Sequence, residues 1–305
     1  MAKHKPYRIF IYYFARGLGA VLSLLPRAWI LALARAMGSL AFDGIPKHRE
    51  ETIRNLTTAF GSQKTPGEIK KMARNVFKNL AQTAAEVLQF PKWKNYSIDQ
   101  IIDFGDAPEK YRALLAEGKG LITITSHLGN WELLGGIPSM KGFKSKAIAR
   151  RLRDPRFQNW VESLRLSIGV DLIYRNDSPK KIFQCLKNGE ALGLLPDQDI
   201  AGLKGVFVDF FRKPAHTSIA PVKLSLATDA PIACVFLVRL PGNRYKIIFK
   251  EVIRPKIETT EIDAFQKYTA LWMKDIESVI REYPDQWGWM HNRWKTSKTI
   301  NSQGK

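Results

Sequence analysis

Two apolar runs open the chain, and short apolar stretches alternate with amphipathic ones through its second half. Ile9 to Leu25 (IFIYYFARGLGAVLSLL) is apolar except for Arg16, and Ala28 to Phe42 (AWILALARAMGSLAF) is apolar except for Arg35. Residues 47–91 read as helical and polar-faced. Within them Glu68 to Phe90 sets Ile69, Met72, Val76, Leu80, Ala84, Val87 and Leu88 three or four apart, and Pro91 ends the pattern. From residue 120 the period changes, and strands are predicted over 120–125, 145–149, 170–174, 190–195, 231–239 and 244–250. Helices fit at 131–139, 154–168, 178–188 and 217–228, with a long one over 261–282. Leu240-Pro241-Gly242-Asn243 joins the last two strands as an antiparallel hairpin.

The alternation predicts an α/β fold, a mixed sheet flanked by helices, with an N-terminal hydrophobic membrane-anchoring helical segment. The boundaries read as a 1–45 anchor, a 46–297 α/β domain carrying the chemistry, and a 298–305 polar tail. Neither opening run reaches the roughly 20 uninterrupted apolar residues of a simple spanning helix. An arginine near a helix end snorkels, however, and Lys3, Lys5 and Arg8 sit at the front of the run, with Tyr7, Phe10, Tyr12, Tyr13 and Phe14 at interface depth. Leu25-Pro26-Arg27 offers no cleavage site, so the segment is read as uncleaved. It either spans once or lies in the interface, and a buried helical hairpin is the remaining reading. The basic flank favours the cytoplasmic side.

Composition narrows the partners. A hydrophobic share of 45 % in 305 residues suffices for a core and argues against disorder. Cys185 and Cys234 lie in unrelated apolar surroundings, which disfavours a structural disulfide or a thiolate zinc site and fits a reducing compartment. The formal charge of +20 favours polyanions: nucleic acid, an anionic membrane, phosphorylated lipids or an acidic protein.

Candidate chemistry starts at His127-Leu128-Gly129-Asn130-Trp131-Glu132, where an apolar strand stops and a helix starts. A five-residue separation puts two side chains on different helix faces, so His127 and Glu132 make sense as a pair only across a turn, which Gly129-Asn130 supplies. Glu132 is then expected to reach one imidazole nitrogen and leave the other facing substrate as a general base. There is no His-Glu-x-x-His for zinc and no Gly-x-Ser-x-Gly elbow around Ser126.

Three further blocks carry charge or aromatic character. Arg150, Arg151, Arg153 and Arg156 crowd a strand-to-helix junction with Arg165 beyond it, which suits phosphate or carboxylate recognition as well as a solvated face. Asp154 and Pro155 there read as an N-cap and first turn. Pro196-Asp197-Gln198-Asp199 ends another strand, where carboxylates commonly point into the ligand crevice. Gly205 to Ala215, apolar with a basic end, is expected to pack into the core, with lining of an apolar cavity as the other reading. Trp287, Trp289 and Trp294, interleaved with His291, Arg293 and Lys295, suit a membrane interface or anionic head group, and equally nucleic-acid stacking.

Taken in order, these blocks resemble the late acyltransferases of lipid A biosynthesis, the lauroyl/myristoyl transferase family. The likeness covers most of the chain: the apolar amino terminus, His-x4-Glu, Arg-x4-Pro with a later arginine, Pro-Asp-x-Asp, and Gln-Trp-x-Trp-x-His-x-Arg-Trp-Lys. Each motif is weak alone, and His-x4-Asp/Glu is shared with glycerolipid acyltransferases; order and spacing are more specific. The resemblance implies a membrane-bound O-acyltransferase at the cytoplasmic face of the cell inner membrane. It makes His127 the base, Glu132 its holder, Arg165 the balance for developing negative charge, and Arg150 and Asp197 substrate-binding residues. It implies an acyl carrier protein thioester (or acyl-CoA) as donor, a phosphorylated glycolipid such as a lipid A precursor as acceptor, an anionic membrane as partner, no nucleic acid, and no metal or organic cofactor. Arg150-Arg151-Leu152-Arg153 is richer in arginine than the family's commoner forms, which leaves other glycolipid acceptors open. The alternatives are a glycerolipid acyltransferase, which lacks a clear downstream phosphate loop here, and a non-catalytic basic protein binding membrane or nucleic acid.

Overall fold

The computed structural model describes residues 7–296. Lys3, Lys5, the side chains of Tyr7 and Arg8, and the 298–305 tail lie outside the described residues. Four helices come first: α1 (Tyr7–Leu24), α2 (Arg27–Gly44), α3 (Pro46–Phe60) and α4 (Pro66–Leu88). The 47–91 stretch is therefore divided, and the cause is local. Thr65 caps α4 by accepting from the Glu68 amide, while the Glu68 carboxylate accepts from the Thr65 amide at 2.8 Å. Two helical turns, α5 (Phe90–Trp93) and α6 (Ile98–Ile101), lead to β1 (Ile102–Asp103) and α7 (Ala107–Ala116).

The alternating half follows as β2 (Leu121–Ile124), α8 (Trp131–Met140), β3 (Ser145–Ala149), α9 (Pro155–Leu166), β4 (Asp171–Tyr174), α10 (Pro179–Lys187) and β5 (Ala191–Leu194). Beyond these come β6 (Gly205–Phe210), β7 (Lys213–Ser218), α11 (Ala220–Thr228), β8 (Ile232–Leu240), β9 (Arg244–Ile253) and α12 (Glu261–Glu282). A seven-stranded sheet has the order β1-β9-β8-β2-β5-β3-β4. Strands β8, β2, β5, β3 and β4 run parallel, and β9 returns antiparallel to β8 through the expected hairpin. The expected mixed α/β architecture is what the chain forms.

Side-chain alternation on β2 divides the interior. Ile122 and Ile124 join Trp272, Met273, Ile276 and Val279 of α12 on one side, while Leu121 joins Leu133 and Ile137 of α8 on the other. Fully burying each large aliphatic side chain contributes roughly 1.5–3 kcal/mol, so α12 fixes the back of the sheet firmly.

Gly205 to Ser218 is a hairpin that the sequence pattern did not give away. Its two-residue loop, Phe211-Arg212, takes φ of 55° and 60°, the conformation that Asn-Gly usually signals. Phe211 is held there because its amide donates to Glu277 and its ring packs edge-on against Phe60 and Trp289. The segment packs into the core, with Val208, Phe210, Phe211 and Ala215 buried.

Among the described residues no single helix is long and apolar enough to cross a membrane; α2 and α3 reach the criterion only jointly, across a 93° bend. Helix α1 lies against α9 through Tyr12, which packs edge-on to Phe157 and Trp160. Helix α2 packs along α4, burying Ile30, Leu31 and Ala34. Their other faces leave Phe10, Phe14, Val21, Leu24, Trp29, Met37 and Leu40 exposed.

Candidate active site

Parallel pairing assembles the centre of the site. Ile124 of β2 is in register with Leu194 of β5, and the Thr125 amide extends the ladder to the Leu194 carbonyl at 2.9 Å. His127 and Asp197 each stand three residues past that pair, so both emerge side by side at the carboxyl ends of adjacent strands. Asp197 Oδ2 accepts from the His127 amide at 2.8 Å and from the Trp287 indole at 2.9 Å, while its Oδ1 lies 2.9 Å from His127 Nδ1.

Asp197 is 1 % exposed and lies behind the imidazole rather than on a cavity wall. Burial pushes its carboxyl pKa up, but the His127 charge and the donors from His127 and Trp287 hold it below the usual carboxylate value. It is therefore an ionised acceptor, and Nδ1 carries the proton. Burial likewise pulls the His127 pKa down, and the charge and hydrogen bond of Asp197, with the charge of Glu132, more than offset it. The imidazole ends above the ordinary histidine value, with Nε2 left for a ligand.

Glu132, expected on the imidazole, has another partner. Asn130 caps α8 by accepting from the Leu133 amide, which puts Glu132 in the first helical turn and aims it at α9. There its carboxylate takes a bidentate pair from Arg165, Nε at 2.8 Å and Nη2 at 2.6 Å. Asp197, expected to bind substrate, is instead the carboxylate bonded to His127. The signal for it was the strand pairing, since both residues follow matching strand ends.

The turn between His127 and Glu132 is clamped from three sides. Gly129 has φ +61°, and a Cβ there would sit 2.0 Å from the Leu237 carbonyl oxygen. Its amide donates to Gln286, its carbonyl accepts from Thr83, and the Asn130 amide donates to Leu237. The Gly288 amide closes the loop on the His127 carbonyl at 2.8 Å.

Behind Asn130 sits Glu86 of α4, fully buried. One of its oxygens accepts from Arg27 at 2.7 Å; the other accepts from Asn130, Arg239 and Tyr245. Burial alone pushes the Glu86 pKa up, but the Arg239 and Arg27 charges and the Tyr245 hydroxyl bring it below the usual value, so it stays charged. Arg27 opens α2, so this cluster ties the amino-terminal helices to the turn.

His127, Glu132 and Arg165 all line one cavity of about 550 Å³. It lies between one sheet face and helices α7 and α8, with Tyr111, Phe143, Leu172, Val235, Ile247 and Phe249 among its apolar walls. Its floor is roomy because facing strand positions carry small side chains: Thr123 pairs with Gly193, and Gly193 with Ala147. Arg150 and Arg175 are exposed lining residues, and Lys295 is another.

Two more arginines of the junction are otherwise engaged. Arg156 pairs with the capping Asp154 at 2.7 Å, and Arg151 pairs with Asp177 while stacking 3.8 Å over Tyr174. Trp287 and Trp289 are core residues. Their rings meet edge-on at 4.6 Å, and Phe210 packs on Trp287. Aromatic packing at that density leaves neither ring to a membrane interface or to nucleic-acid stacking.

A family model described as bacterial lipid A biosynthesis acyltransferase matches residues 2–296. The chain is 25 % identical over 291 residues to the lipid A biosynthesis palmitoleoyltransferase of Escherichia coli strain K12, covering 95 % of this chain and 92 % of that protein. It is 26 % identical to the lipid A biosynthesis lauroyltransferase of the same strain over 277 residues, 89 % of this chain and 87 % of that protein. A phosphatidylinositol mannoside acyltransferase of Mycolicibacterium smegmatis is 23 % identical over 253 residues, covering 80 % and 79 %.

Proposed function

The chain belongs to the bacterial lipid A biosynthesis acyltransferase family, and from that premise we propose that it moves a fatty acyl chain from a thioester to a hydroxyl of a phosphorylated glycolipid, with His127 as general base. The observation that carries this reading is the His127–Asp197 pair beside Glu132–Arg165 at a large apolar cavity with cationic lining residues. Nε2 takes the proton of the acceptor hydroxyl as its oxygen attacks the thioester carbonyl carbon. The C–O bond forms and the carbonyl electrons move to oxygen. Collapse of the tetrahedral intermediate breaks the C–S bond, and the imidazolium returns its proton to the leaving thiolate.

Asp197 fixes the tautomer and favours the imidazolium through the intermediate. Arg165, held in place by Glu132, supplies positive charge beside the reacting centre. Arg150 belongs, in this reading, with the acceptor phosphates, alongside Arg175 and Lys295. A formal charge of +20 supports an acidic carrier protein as thioester donor, since complementary charge speeds encounter. The acceptor is a lipid A precursor or a similar phosphorylated glycolipid.

The exposed apolar faces of α1 and α2 support attachment at an anionic membrane, with α1 lying in the interface because its other face rests on α9. The cytoplasmic face of the inner membrane suits a donor carried by a soluble protein. His127→Ala and Glu132→Ala are expected to abolish transfer from a labelled carrier-protein thioester to a phosphorylated glucosamine lipid while leaving membrane association intact. Full activity in either variant overturns the assignment of that residue. A panel adding lysophosphatidate and mannosylated phosphatidylinositol as acceptors decides between glycolipid and glycerolipid chemistry.

A further inference from the structure

Asp199 and His291 belong to the Pro-Asp-x-Asp and tryptophan blocks but have no part in the acyl-transfer chemistry above. The segments that carry them run together past the catalytic pair. The Trp287 indole donates to Asp197 at 2.9 Å, and four residues further on Nε2 of His291 lies 3.0 Å from the Asp199 carbonyl oxygen. A carbonyl oxygen only accepts, so Nε2 carries the proton. Nδ1 has no hydrogen-bond partner among the described residues, and it is not one of the buried side-chain atoms left without one. It is therefore open, and His291 lines the catalytic cavity together with Gln198 and Lys295. Burial and the Lys295 charge pull the His291 pKa below the ordinary histidine value, and Arg293 adds to the pull, while the Asp199 carbonyl and the Asp197 charge resist it. Helix α3 presents the uncharged Asn55, whose amide donates to the Trp289 and His291 carbonyls at 2.8 and 2.9 Å and fixes the backbone. At pH 7 the ring is neutral, and Nδ1 is a hydrogen-bond acceptor.

We infer that His291 binds the phosphorylated glycolipid, its Nδ1 accepting a hydrogen bond from a sugar hydroxyl or amide N–H of the head group, an inference that rests on the acyl-transfer reading above. Arg150, Arg175 and Lys295 line the same cavity and can only donate, which suits phosphate oxygens. A phosphorylated sugar also carries hydroxyl and N–H donors, and these cations cannot serve them. A neutral imidazole held by Asp199 and seated by Asn55 gives such a donor a preorganised partner. Lys295 follows His291 by four residues, so one segment offers both kinds of contact. A site built to accept from a hydroxyl or N–H discriminates against lipids that lack it.

The test compares the full chain with His291→Phe, His291→Gln and His291→Asn in detergent. It measures equilibrium binding of a labelled phosphorylated glucosamine lipid without thioester, and then KM for that lipid and for a dodecanoyl carrier-protein thioester. Glutamine puts its amide nitrogen where Nε2 was and keeps the donor to Asp199, but has no acceptor at the Nδ1 position. Asparagine puts an oxygen near Nδ1 and does not reach Asp199. His291→Phe and His291→Gln are expected to weaken lipid binding and raise the lipid KM roughly 5- to 10-fold, with the thioester KM near wild type, while His291→Asn recovers most of the affinity. The gap between wild type and His291→Gln is expected to close as the pH is lowered from about 7.5 to about 5, because a protonated Nδ1 cannot accept. Recovery in His291→Gln but not in His291→Asn makes the Asp199 contact merely structural and overturns the inference. So do wild-type affinity in His291→Phe, a rise in the thioester KM in place of the lipid KM, and a gap that widens at low pH. A wild-type chain that binds the lipid yet transfers no acyl group overturns the acyl-transfer reading alone.

Discussion

Asp197 sets the protonation behaviour of the site from behind the imidazole. Its charge and hydrogen bond raise the His127 pKa above 6.5, so His127 in its proposed role as base would work only once the pH has passed that raised value. Asp197→Asn removes both effects. The acidic limb of the kcat/KM profile is expected to move to lower pH, while kcat drops on the order of 10²- to 10⁴-fold because the tautomer is no longer fixed. The same pair acts on stability. A raised folded pKa means that its contribution is fully present below about pH 6.5 and is lost as pH rises through the folded value. Denaturation of the wild type across that window should show a decline that His127→Gln lacks. His127 was legible in the sequence because a histidine at a strand end before a glycine turn has few uses. Asp197 was visible only as a strand-end carboxylate, since 70 residues separate it from His127 and only the β2–β5 register joins them. Glu132 was legible as a site residue, but its partner depends on how Asn130 caps α8.

Elements either carry the turn or stay clear of it. Glu86 of α4 is the anchor point, and Glu86→Ala would leave Arg27 and Arg239 buried without a counter-charge. A loss of about 3–5 kcal/mol is expected in chemical denaturation, as for a broken buried ion pair. Gly129→Ala must displace either the turn or β8, and strain at the left-handed position alone costs about 1–3 kcal/mol. The Phe211-Arg212 loop gives the opposite sign. Arg212 is exposed at φ +60° and away from the cavity, so Arg212→Gly should add about 0.5–1 kcal/mol of stability with activity unchanged. That loop also explains why the β6–β7 hairpin was hidden: turns of this kind advertise themselves through Asn or Gly, and Phe-Arg carries no such mark. Strands β2 to β5 and helices α8 to α10 were plain because short apolar runs alternate with helical stretches whose starts carry a capping residue or a proline.

At the scale of the whole molecule, apolar and electrostatic attachment are separable. In the proposed membrane attachment, the exposed faces of α1 and α2 would supply apolar area, and the positive charge attraction to anionic lipid. Phe10→Ser, Phe14→Ser and Trp29→Ser combined should weaken co-sedimentation with vesicles containing anionic lipid, and the binding that remains should be abolished by salt. An anchor was suggested by hydropathy together with the basic flank and the aromatics; how helices α1 and α2 dock on α9 and α4 depends on Tyr12, Trp160 and Arg27, whose partners lie far along the chain.

Residues 286–288 also have a bearing on timing during synthesis. Gln286 holds the Gly129 amide, Trp287 holds Asp197, and Gly288 holds the His127 carbonyl. All three come from a stretch translated after the whole sheet. A ribosome-bound chain thus carries His127 and the apolar cavity walls well before the contacts that seat them. Under the proposed function, competence to transfer acyl groups is therefore expected to arrive only once residues 286–288 have been made.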